Sequence, residues 1–99
     1  MAMIATGALL TPATRVRQSQ RIAARVVDGR AVIIVVDEQA VHSLNAVGTH
    51  VWERADGREL SAIVESLVTE FQVDKETAWN DLCTFVGQLS TLGALEVET

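Results

Sequence analysis

Cysteine, proline and basic residues are scarce in this chain, and it has no long apolar run. Cys83 is the single cysteine, and neither His42 nor His50 stands near it at a recognised metal-ligand spacing. A disulfide framework and a zinc site are both excluded on that count, and no cofactor is expected. A reducing cytosol suits such a chain, so a cytoplasmic location is the expectation. Eight Lys and Arg stand against 13 Asp and Glu, for a formal charge of -5. The summed field repels phosphate backbones and anionic lipid, so neither nucleic acid nor a membrane is an expected partner. No stretch approaches the roughly 20 apolar residues of a membrane-spanning helix. The apolar opening residues 1–10 carry no Lys or Arg and are followed by no cleavage site, unlike a secretory signal.

What is present is an ordinary globular composition, 48% hydrophobic and 21% charged. A chain of 99 residues fits one domain and buries a smaller share of its surface than a larger protein does. A binding site on it should therefore be a surface groove. Residues 1–20 show no sustained period, hold Pro12, and run into a basic cluster at Arg15, Arg17 and Arg21. They read as an N-terminal arm leading into a domain at 21–99.

Two β-branched runs, 22–27 and 31–36, flank Asp28-Gly29, which supplies the positive φ of a tight hairpin. Ala40, Val41, His42, Ser43 and Leu44 make a third strand, completing an antiparallel meander. The middle run is apolar on both faces, although antiparallel sheets ordinarily leave one face wet. Its second face is expected to be covered by Ala8, Leu9 and Leu10 of the arm or by a second copy of the chain.

Helices follow. Asn45 is the expected N-cap of a short helix ending near Asp56-Gly57. Asp56 and Glu59 have the spacing of a capping box for a second, whose apolar positions Leu60, Ile63, Val64, Leu67, Val68 and Phe71 recur at helical period. A third runs from an Asp74 cap to Leu92, with Gly93 as the left-handed exit residue, and Leu95 and Val97 add a last short strand. Strands first and helices second is an α+β order. The third helix carries two apolar stripes. Ala78, Leu82, Phe85, Leu89 and Leu92 form a core-facing arc, and Trp79, Cys83, Val86 and Ser90 lie beside it. The second stripe is either another core face or one wall of a groove.

From Leu44 onward the chain resembles the PqqD family: Leu44-Asn45, Val51-Trp52, Asp56-Gly57, the helix from Ile63 to Leu67, Asp81-Leu82 with Phe85, and Leu89 with Leu92-Gly93. The resemblance covers roughly residues 20–97. It implies a winged-helix-like unit in which a three-stranded antiparallel sheet is followed by a three-helix bundle. It also implies a recognition element that binds the leader of a ribosomally made precursor peptide and presents it to a modifying enzyme, often a radical S-adenosylmethionine protein. In that arrangement the leader adds as a strand to Ala40, Val41, His42, Ser43 and Leu44, and Trp79, Cys83 and Val86, with Lys75 near the helix start, form the opposite wall. The Ser or Thr that commonly caps the family's second helix has no counterpart here, and Asp56 is given that role. The regions around the second turn and the third helix end differ from pyrroloquinoline quinone biosynthesis members, which favours a relative serving another pathway.

Three other readings are weighed. A winged-helix regulator needs a basic recognition helix, and the third helix carries Asp74, Glu76 and Asp81 against Lys75 alone. An enzyme needs a nucleophile beside a base, but strand alternation sends His42 and Ser43 to opposite faces, and Cys83 lies in an apolar stripe. A homodimeric interaction module built on the apolar sheet face is the runner-up.

Overall fold

A computed structural model describes residues 2–3, 9–35 and 40–98. The expected meander is present as β4 (Ile22–Val27), β5 (Arg30–Val35) and β6 (Ala40–Ser43), in the order β4-β5-β6. Asp28 and Gly29 have φ of 53° and 77°, so both central residues of the β4–β5 turn are left-handed, as a two-residue hairpin matched to strand twist requires. The turn expected at Asp37-Glu38-Gln39 lies outside the described residues.

The first twenty residues contribute more than an approach to this sheet. β1 (Ala2–Met3) pairs with β2 (Leu9–Leu10), and β3 (Arg15–Gln18) is the central strand of a second antiparallel sheet between β7 (Asp56–Glu59) and β8 (Leu95–Glu98). Leu10, Thr14 and Val16 are fully buried. Arg15 lies opposite Glu59 and Glu98, and Arg17 opposite Asp56 and Glu96. Arg15 and Arg17 of the basic cluster thus stand in a cross-strand charge ladder, with Arg17 Nε 3.1 Å from Glu98 Oε1. The α+β class with antiparallel sheet and three helices holds, but in place of a single sheet followed by a helical bundle, two three-stranded antiparallel sheets accompany the three helices.

α1 (Ala46–Glu53) is capped as expected, with Asn45 Oδ1 accepting from the Gly48 N–H at 2.7 Å. It ends three residues sooner than expected because Asp56 opens β7. That also overturns the Asp56–Glu59 capping box. The Asp56 carboxylate is held by Arg58 through two 2.9 Å bonds, and Glu59, at the N-cap of α2 (Leu60–Phe71), makes no side-chain cap bond. Backbone carbonyls replace the box: Thr14 accepts from the Leu60 N–H at 2.8 Å and Pro12 from the Ser61 N–H at 3.0 Å.

α3 (Lys75–Thr91) begins on Asp74, whose Oδ1 accepts from the Thr77 N–H at 2.7 Å. It ends in a Schellman arrangement, with Ala94 N–H to the Leu89 carbonyl, Gly93 N–H to the Ser90 carbonyl, and Gly93 at φ 79°. Its core residues pack with Ile63, Val64 and Leu67 of α2 and with Ala31 and Ile33 on the inner face of β5. Among the described residues no helix is long and apolar enough to cross a membrane.

The outer face of the β4-β5-β6 sheet carries exposed apolar side chains. Ile34 and its cross-strand partner Val41 are 41% and 66% exposed. Leu10 is buried and lines a depression with Ser61, Val64 and Trp79 of the helices. Ala8 lies outside the described residues.

Candidate functional site

β6 is an edge strand. It pairs with β5 on one side, and no described strand lies on the other. Its orientation follows from one hydrogen bond. The Leu44 N–H reaches the Ala31 carbonyl at 2.8 Å, and backbone groups in an antiparallel ladder alternate sides. Residues 40 and 42 therefore address β5, while Val41 and Ser43 turn their N–H and C=O groups outward. Two side chains fasten the end of this ladder: Ala31 N–H donates to Thr49 Oγ1 at 2.9 Å, and Arg30 Nε donates to the Leu44 carbonyl at 3.0 Å.

Beside that open edge runs a groove of about 610 Å³. One wall is His42, Ser43, Leu44 and Asn45; the other is the C-terminal half of α3, with Phe85, Leu89 and Leu92 as its apolar part and Gln88 and Thr91 as its polar part. Among the described residues no Asp, Glu, Lys or Arg lines it. Gly48 sets the position of Phe85, because a Cβ at Gly48 would sit 2.8 Å from Phe85 Cε1. The missing methyl is what lets the ring close one end of the groove against α1.

The residues anticipated from sequence fall in several places. His42, Ser43 and Leu44 line this groove, and Val41 projects to the outer face. Ala40 lies in β6, paired with Val35. Lys75 and Trp79 instead line a second depression, about 620 Å³, with Leu10, Pro12 and Val64. Trp79 and Leu92 are 13 positions apart, about 20 Å along the helix, which puts the two openings near opposite ends of α3. Cys83 and Val86 belong to neither, being 7% and 0% exposed in the core, and burial pushes the Cys83 thiol up from its ordinary pKa. Phe85, Leu89 and Leu92 fall in the arc that periodicity assigns to the core, and no sequence pattern marks Gly48. A polar residue, Gln88, between two apolar ones on that flank is the available sequence signal for a half-open face.

One polar atom beside the groove stands out. His42 Nε2 is buried and has no hydrogen-bond partner among the described residues. The other histidine is satisfied: His50 Nε2 lies 2.6 Å from Ser66 Oγ, and its ring meets Phe71 edge to face at 5.4 Å. Burial, then Arg54, lowers its pKa. This histidine and serine line neither depression. Among the described residues no cluster of His, Cys, Asp and Glu could hold a metal ion.

An open strand edge beside an uncharged, half-apolar groove places the chain among small α+β domains with a vacant position at one sheet margin. The chain belongs to the PqqD family: the family described as Coenzyme PQQ synthesis protein D (PqqD) matches residues 30–95, from β5 into β8. The structure of TbiB1 in complex with the TbiA(beta) leader peptide is similar, with a TM-score of 0.76 and 26% identity over 81% of this chain and 94% of that one. No curated protein matches the sequence.

Proposed function

We propose that this protein binds the leader segment of a precursor peptide as an added strand on β6, with alternate leader side chains in the groove against α3, and presents it to a modifying enzyme. The observation that carries the reading is the outward-facing backbone of Val41 and Ser43 beside a groove free of charge. Membership of the PqqD family and likeness to a leader-bound structure support it. The contact set is then Ala40, Val41, His42, Ser43 and Leu44 on one side and Phe85, Gln88, Leu89 and Leu92 on the other.

Magnitudes divide the work. Two residues offer up to four backbone bonds at about 0.5 to 1.5 kcal/mol each, so pairing contributes roughly 4 kcal/mol. Ordering a flexible leader costs roughly 2 to 5 kcal/mol, which cancels that gain. Net affinity must come from apolar leader side chains entering the groove, each contributing about 1.5 to 3 kcal/mol. The groove is thus the source of specificity and the edge the source of register.

The modifying enzyme, of the radical S-adenosylmethionine kind in many relatives, is a second partner in this reading. A homodimer is the alternative, favoured by the exposed Ile34–Val41 pair on the outer sheet face. Titrating the ¹⁵N-labelled protein with leaders of short peptides encoded near its gene separates the two. Leader recognition predicts saturable shifts at Val41, Ser43, Phe85 and Leu92. No shift with any leader, together with a dimer by sedimentation, would favour the alternative.

A further inference from the structure

We infer that His42 is a specificity position, at which the groove reads a neutral hydrogen-bonding side chain, a hydroxyl or an amide, on the guest strand. This rests on the strand-addition reading and goes beyond it by naming what one guest residue must be. His42 lies on the inner face of β6, opposite Ile33, and lines the groove. Its backbone groups are committed to β5, so in a guest strand added antiparallel to β6 the residue opposite it forms the narrow, non-hydrogen-bonded kind of pair. In such pairs cross-strand side chains approach most closely, with Cβ atoms about 4.5 Å apart. The guest side chain at that register points into the groove beside the imidazole.

The imidazole is unsatisfied there. Nε2 is covered and unpaired, a state that buried polar atoms seldom keep. The second torsion of histidine is broad, so a turn of the ring brings Nε2 to the groove at little cost. Groups that both donate and accept fit whichever tautomer the ring holds. A charged guest group fits poorly, because among the described residues no Asp, Glu, Lys or Arg lines the groove and an unpaired charge is costly to bury.

The test uses a displayed library of random 12-residue peptides, selected separately on the wild-type protein and on His42→Leu. Wild-type selection should yield an apolar alternating pattern with Ser, Thr, Asn or Gln enriched at one position, and selection on His42→Leu should turn that position apolar and leave the rest. Replacing the enriched residue by Val should weaken binding to the wild type about tenfold and leave His42→Leu unaffected. The wild-type imidazole ¹⁵N signal should move on binding, a readout that needs no variant. If selected peptides shift Val41 and Ser43 but show no polar position, or the same one on both proteins, the inference about His42 fails and strand addition stands. If no selected peptide shifts Val41 and Ser43, both fail.

Discussion

Replacing Gly48 with alanine places a methyl carbon 2.8 Å from Phe85 Cε1, about 0.6 Å short of the 3.4 Å where ordinary contact begins. Asn45 Oδ1, which caps the same helix, lies 3.2 Å from that carbon, so the methyl has no easy retreat. The ring end is the softer side and swings toward the open groove. Overpacking of this kind costs about 1 to 3 kcal/mol, while alanine in place of glycine inside a helix returns about 1 kcal/mol. Net stability should fall by no more than about 2 kcal/mol. Binding should suffer separately: if the displaced ring excludes one apolar leader side chain, about 1.5 to 3 kcal/mol is lost, roughly a tenfold to hundredfold weakening. A double-mutant cycle needs no ligand. Urea unfolding of Gly48→Ala, Phe85→Leu and the double variant should show a coupling of about 1 kcal/mol or more, because shortening the ring removes the conflict. Additive effects would refute the idea that Gly48 positions Phe85.

The remaining predictions concern the edge and the buried histidine. Ser43→Pro removes an outward N–H that β5 does not use, so it should leave the melting temperature within a few degrees yet weaken leader binding about tenfold or more, whereas His42→Pro removes a ladder bond to β5 and should unfold the sheet; circular dichroism with a binding titration checks both. His50 has its pKa lowered by burial and Arg54, so the unfolded chain takes up a proton more readily than the folded one. Stability from this group is therefore full above the ordinary value of 6.5 and declines as pH falls below it toward the folded pKa. Denaturant unfolding between pH 7.5 and 5 should show that decline, and His50→Leu should flatten it.

Much of the architecture is legible in local pattern, and the parts that are not depend on distant pairing. Asp28-Gly29, Asn45, Asp74 and Gly93 announce their turns and caps through conformational preference that needs no partner. β3 does not, because it offers one inward residue, Val16, among polar ones and is defined by strands about 40 and 80 residues later. The Asp56–Glu59 spacing fits a capping box, yet those residues form a strand, and carbonyls of Thr14 and Pro12, more than 40 positions away, accept from the Leu60 and Ser61 N–H groups that open α2. The groove illustrates the same limit. Periodicity finds two apolar stripes on α3, and both prove largely buried. Which flank faces a groove depends on where β6 approaches, and β6 approaches beside Phe85, Gln88 and Leu92, leaving Cys83 and Val86 in the core.

Strand addition is tested most directly by amide hydrogen exchange at β6, residue by residue, with and without a bound leader. In the free protein the Val41 and Ser43 amides should exchange quickly while those of His42 and Leu44, bonded to β5, exchange slowly. Saturating leader should slow Val41 and Ser43 by about tenfold or more and change His42 and Leu44 far less. Protection that leaves Val41 and Ser43 fast, or that appears instead around Trp79 and Lys75, would contradict docking on this edge.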